Sequence, residues 1–221
     1  MIFSITEKNT DSLYNLAFAL SMITIAYNVI EGIVSVYFGI EDETLALFGF
    51  GLDSFVEVLS GIGIAHMILK IKKNPSHQPD TFEKTALRIT GISFYILAVS
   101  IFIGILINLY TGSKPVTTFA GIIITLLSLI SMYFLIYFKL KAGRLLKNDA
   151  IIADANCTKA CLYLSGIVFL SSVTYEITGF PYVDAAGSLG VVYYAAKEGK
   201  ESFDKIKGKS CGCDESHCSA S

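Results

Sequence analysis

Apolar residues fall along this chain in six long runs rather than in short alternating stretches. The runs cover residues 13–39, 44–70, 86–110, 115–138, 149–175 and 180–197. Runs of about 20 apolar residues are long enough to cross the hydrocarbon core of a bilayer. The third and fourth are the purest, with no charged residue from Ile89 to Ile107 or from Val116 to Phe138. In lipid a backbone must satisfy its polar groups internally, which leaves helices or a closed barrel. GIIITLLSLI is β-branched, but its run is too long and too continuously apolar for alternating barrel strands. The pattern predicts an all-α, polytopic membrane protein with six transmembrane helices in one bundle.

The connecting segments are short, so consecutive spans should lie antiparallel. They are EDE (41–43), KIKKNPSHQPDTFEK (70–84), TGSKP (111–115), KLKAGRLLKND (139–149) and TGFP (178–181). Basic residues crowd the second and fourth and the stretch from Lys197 to Lys209, whereas Lys114 is the single lysine of the other three. By the positive-inside rule the N- and C-termini are expected in the cytoplasm. The expected organisation is a cytoplasmic segment at 1–12, a transmembrane domain at 13–197 and a cytoplasmic tail at 198–221, with no soluble domain.

Composition agrees with a membrane protein. The chain is 53% hydrophobic and 16% charged, against about 25% charged in an ordinary soluble domain, and its mean hydropathy is +0.59. A formal net charge of −2, with basic residues divided among loops, points to no nucleic-acid partner. The opening MIFSITEKNTDS lacks the basic n-region and small-residue cleavage site of a signal peptide, so the first run is expected to be retained. Lipid is the expected surroundings, in the cell membrane.

Against this background the polar residues inside the spans stand out, because insertion of a charge costs roughly 2.5–3.5 kcal/mol on translocon scales. Spans three and four are almost bare. Span one carries Asn28 and Glu31, and span two carries Asp53, Glu57 and, lower, His66. Span five carries DANCTKAC, with Asp154, Asn156, Cys157, Lys159 and Cys161, and span six carries Asp184. Asp53 and Glu57 are four apart and share a helix face, as do Asp154, Cys157 and Cys161 at i, i+3 and i+7. Spans two and five run in opposite senses, so the two faces can meet near mid-membrane. Two carboxylates and two thiols would then converge, and four such ligands suit a tetrahedral ion such as Zn²⁺.

Each residue also has a plainer reading. A lone buried cysteine packs as a small hydrophobe, and a lone carboxylate can take a lysine or cap a helix. Two carboxylates one turn apart repel, which makes the first pair harder to explain without a cation. Asp154, Glu31 and Asp184 are candidates for an additional metal or proton site. Lys159 lies roughly 200° around the helix from Cys157 and is expected to pair with Glu31 or Asp184. His66 lies too far from Glu57 for the same ligand set.

The segments GLDSFVEVLS, ADANCTKACLYLSG and YVDAAGSLGVVYYAAKEGKES resemble the cation diffusion facilitator family over nearly the whole membrane region. The resemblance implies six transmembrane helices and a divalent-ion site built from paired (H/D)xxxD motifs on the second and fifth. It places Asp53 and Glu57 on the first pair and Cys157 and Cys161 on the second, where CxxxC replaces the family's HxxxD. It also places Asp154 on an aspartate common three residues earlier. The family's usual cytoplasmic metal-binding domain is not expected here. The chain ends instead in KGKSCGCDESHCSAS, where Cys211, Cys213, His217 and Cys218 form a Cys/His tract of the kind that binds metal.

The function expected from these residues is transport of a heavy-metal cation, as proton-coupled efflux from the cytoplasm. Thiolates favour Zn²⁺, Cd²⁺, Hg²⁺ or Cu⁺ over Mg²⁺ or Mn²⁺. Ligands that must lose protons to bind metal make protons the natural counter-ion. A second copy of the chain is carried as a candidate partner. Uptake of the same ions, or a membrane metal sensor or chaperone without flux, are the alternatives. With no zincin motif or activated nucleophile in the sequence, an enzyme is not expected.

Overall fold

In a computed structural model of the protein, the residues described are 2–73, 81–112, 114–146, 149–180 and 182–206. They form six helices: α1 (Ile2–Glu41), α2 (Leu45–Lys73), α3 (Thr81–Thr111), α4 (Phe119–Leu146), α5 (Asp149–Thr178) and α6 (Tyr182–Ile206). Five of them, α1 to α5, contain stretches long and apolar enough to cross a membrane. The sixth does not reach that threshold. Among the described residues there is no strand.

The helices begin and end where backbone chemistry allows. Thr44 opens α2, its carbonyl accepting the first helical bond from Phe48 N at 3.0 Å, as an N-cap residue does. Thr118 does the same for α4, accepting from Ile122 N at 3.1 Å. Gly112, just past the last residue of α3, has φ +69° and Gly179, just past α5, has φ +64°. This left-handed geometry suits glycine at a helix C-terminus. The turns at one end of the bundle are tied together: Val116 N donates to Asp42 O at 2.9 Å, and Tyr175 Oη donates to Pro115 O at 2.5 Å.

Helix α4 corrects the sequence reading. KLKAGRLL, expected in a loop after residue 138, continues the helix to Leu146, so only a short connection precedes α5. Hydropathy drops at Lys139, but the backbone bonds do not stop there. Lysine, leucine, alanine and arginine are all good helix formers.

Helices α1, α2, α5 and α4 pack around a ring, each against the next, and the α3–α6 pair lies beside it against α2 and α5. Each helix of the ring turns polar residues inward. Helix α1 buries Ser21, Thr24, Asn28, Glu31 and Ser35, and α4 buries Thr118, Thr125, Ser128 and Lys139. Helix α5 buries Asp154, Thr158, Ser165 and Ser172. The outward faces are apolar, with Ile23, Ile30, Ile33 and Ile40 of α1 and Leu126, Leu127, Ile130 and Phe134 of α4 exposed. A soluble bundle has the opposite arrangement, and this one is built to face lipid.

Close helix contact holds the ring shut at α1 and α2. A Cβ on Gly51 would lie 2.8 Å from Val36 N, and one on Gly39 would lie 2.6 Å from Phe48 N. Backbone atoms cannot yield as a flexible side chain can, so these two glycines set the α1–α2 distance. Gly51→Leu should therefore force the helices apart, at a cost of about 1–3 kcal/mol as for other overpacked sites. Thermal unfolding of the purified variant in detergent, followed by circular dichroism, should show a lowered Tm; an unchanged Tm would contradict the close packing.

Candidate functional site

The inward polar faces of α2 and α5 meet about a third of the way down α2. Asp53 is 1% exposed, Glu57 and Cys161 are also buried, and Cys161 Sγ donates to Asp53 Oδ2 at 3.2 Å. Antiparallel packing of two helices with polar residues at i and i+4 places the groups at one level. Glu57, one turn below Asp53, lies on the same buried face of α2. Asn28 of α1 lies beside Glu57, outside hydrogen-bond geometry. Among the described residues, Asp53 Oδ1, Glu57 Oε2 and both amide atoms of Asn28 have no hydrogen-bond partner. Burying such atoms unpartnered costs about 1–3 kcal/mol each, so this level of the bundle carries unmet polar capacity.

The other candidates lie around this level in different roles. Glu31 of α1 is clamped by two hydroxyls, Tyr27 Oη at 2.9 Å and Ser54 Oγ at 3.0 Å. It thereby ties α1 to α2. Asp154 lies two turns farther along α5 from Cys161 and forms an ion pair with Lys139 Nζ at 2.9 Å. Lys139, 2% exposed, also donates to Thr158 Oγ1 at 3.0 Å. Asp184 is in the first turn of α6, where its carboxylate accepts from Leu45 N at 3.0 Å and Ala46 N at 3.3 Å. It supplies a negative charge to the first turn of α2, where free N–H groups and the helix dipole favour one.

Two expectations change. Neither Glu31 nor Asp184 pairs with Lys159, because their oxygens are taken by the groups just described, and the lysine that faces α5 is Lys139. No hydropathy signal marked Lys139, since it sits at the boundary where a span gives way to basic residues. Its register did carry a signal: Ser128, Met132, Leu135 and Lys139 recur at helical spacing on the buried face of α4. The side chain of Cys157 and the whole tract of Cys211, Cys213, His217 and Cys218 lie outside the described residues. Among the described residues, no group of three or more His, Cys, Asp or Glu has an arrangement that could hold a metal ion. Cys161 also packs against Leu20, Met132 and Leu135.

The geometry is thus a membrane bundle with carboxylates and a thiol buried at one level of its ring. The profile of the cation efflux transmembrane domain matches residues 16–204, which take in most of all six helices. The chain belongs to the cation efflux family. No individually curated protein matches it. As a member of the cation efflux family it is a multi-pass membrane protein and a transporter of metal cations. The matched residues also include most of α6.

The role of Asp184 at the end of α2 can be checked directly. Asp184→Ala leaves two N–H groups of the first turn unsatisfied and should cost about 0.5–2 kcal/mol, as loss of a capping side chain does. Thermal unfolding in detergent should show the loss, and Asp184→Asn, which keeps an acceptor oxygen, should recover part of it.

Proposed function

We propose that this cation efflux protein exports a thiophilic divalent ion, Zn²⁺ or a softer relative such as Cd²⁺ or Hg²⁺, in exchange for protons. The ligands in this reading are Asp53 and Glu57 of α2 and Cys157 and Cys161 of α5. The observation that carries it is the hydrogen bond from the Cys161 thiol to Asp53. A thiol binds a metal ion as the thiolate, so loading the site must expel the proton that Cys161 now gives to Asp53. When the metal leaves, the buried thiolate and carboxylates take protons back. Ligand competition of this kind couples the two fluxes without any further device. The unpartnered oxygens of Asp53 and Glu57 add support, since a cation would satisfy both.

The same reading makes α6 the sixth span and puts both termini in the cytoplasm of the cell membrane's inner side. Lysines at the end of α2 and the basic residues from Lys141 to Lys147 favour that orientation. Lys139 contributes nothing to it, because its charge is buried and paired. The Cys/His tail would then lie in the cytoplasm, where it can collect ions for the transmembrane site.

Proteoliposomes holding a zinc-sensitive dye and a pH-sensitive dye test the proposal. Zn²⁺ entry into the vesicles should be matched by proton exit. Asp53→Asn, Glu57→Gln, Cys157→Ser and Cys161→Ser should each cut flux at least about tenfold, since each removes a ligand and part of the compensating charge. The double variant C157H/C161D should still carry Zn²⁺ but lose preference for Cd²⁺ in competition. Flux that survives loss of both cysteines, with unchanged ion preference, would reduce DANCTKAC to packing. Metal binding with no flux would favour a sensor instead.

The tail gives a separate expectation. Deleting residues 210–221 should leave flux intact at saturating Zn²⁺ and slow it at limiting Zn²⁺. Loss of flux at saturation would place the tail inside the transport cycle.

A further inference from the structure

A lysine buried in a membrane bundle is costly, and Lys139 is held there by three observations. Its Nζ lies 2.9 Å from Asp154 Oδ2 and 3.0 Å from Thr158 Oγ1, and its side chain is almost fully excluded from the surface. Asp154, Thr158 and Cys161 fall at i, i+4 and i+7, so all three share the inward face of α5. Asp154 is about 10 Å along the helix axis from Cys161, and Thr158 about 4.5 Å, at 1.5 Å rise per residue. The ammonium bridges Asp154 and Thr158, and Thr158 is the nearer of the two to Cys161 along the helix. The pair therefore keeps a fixed positive charge within about two helical turns of Cys161 and the candidate cation site.

We infer that Lys139 is a tethered counter-ion for the transport site, a positioning residue whose fixed positive charge stands in for the cation between cycles and weakens the hold on the cation once bound. The inference rests on the proposed site at Asp53, Glu57, Cys157 and Cys161. Its physical logic is simple. Carboxylates crowded in low dielectric need positive charge nearby when no metal is present, and the ammonium supplies it from α4. An arriving divalent ion then meets a like charge at short range. Binding is weaker than the ligands alone would give, and release to the far side is faster. Asp154 holds the ammonium at its post: without that carboxylate, the full charge of Lys139 would act on the site.

A charge cycle tests this on the full-length protein in detergent and in proteoliposomes, with Zn²⁺ alone as the probe. Lys139→Met should tighten Zn²⁺ binding about tenfold or more, the order of effect expected on removing a unit charge within about 10 Å in a protein interior. In vesicles the same variant should show a lower KM together with a lower kcat. Asp154→Asn should weaken Zn²⁺ binding by a similar factor, and K139M/D154N should fall between the two single variants. Lys139→Arg, which keeps the charge, should stay on the wild-type side of Lys139→Met. A lysine that merely braces α4 against α5 would give no tightening and no opposed movement of KM and kcat, and that result overturns the inference. Should Lys139→Met fail to fold, Asp154→Asn against K139M/D154N decides, because the double variant lacks a buried unpaired charge and must bind Zn²⁺ more tightly than Asp154→Asn. Asp53→Asn serves as the reference. If it leaves Zn²⁺ binding unchanged, the site itself is misplaced; if it abolishes binding while Lys139→Met has no effect, only the counter-ion role falls.

Discussion

Exclusion of water from the lipid-facing surface is the constraint on which this structure depends. A helix in hydrocarbon can satisfy its own backbone but not its polar side chains. The chain solves this by closing α1, α2, α5 and α4 into a ring with serines, threonines and carboxylates inside. Close backbone approach at Gly39 and Gly51 brings α1 and α2 near enough for Tyr27 and Ser54 to reach Glu31. The Asp184 carboxylate fastens α6 to the start of α2. Glu176 does comparable work at the start of α4, accepting from Thr118 N at 3.1 Å. The ends of the helices are thus held by charged caps and the middle by hydroxyl contacts.

Within that ring, charge is unevenly answered. Glu31 is satisfied by hydroxyls and Asp154 by an ammonium, whereas Asp53 has one oxygen on the Cys161 thiol and one without a partner among the described residues. Stability alone would favour apolar replacement of such groups, since buried ion pairs often cost as much as they return. In the reading proposed above, their place at the level where α2 meets α5 serves the transport site. A site that must both bind and release an ion cannot be fully satisfied in either state.

Much of this could be read before any fold was known. The apolar runs gave six helices because helix length in lipid is set by bilayer thickness, and spacing alone put Asp53 with Glu57 and Asp154 with Cys161 on single faces. Spacing also left errors. The run ending at Phe138 suggested a loop, yet α4 continues through Lys139, since helix bonds do not depend on hydropathy. Lys159, the lysine visible inside DANCTKAC, was the wrong partner for the buried carboxylates. The right one for Asp154 came from another helix, where the sequence shows only an unremarkable basic boundary.

By itself the sequence determined the fold class, the number of helices, and the polar faces of α2 and α5. Those follow from local physics: bilayer thickness, helical periodicity and the cost of polar groups in lipid. Only the tertiary structure decided which buried charge meets which. It joined Cys161 to Asp53, Lys139 to Asp154 and Asp184 to the N-terminus of α2, across separations of up to 139 residues in the chain. Such pairings depend on the relative depth and rotation of packed helices, set jointly by contacts such as Gly51 against Val36, and no single helix contains that information.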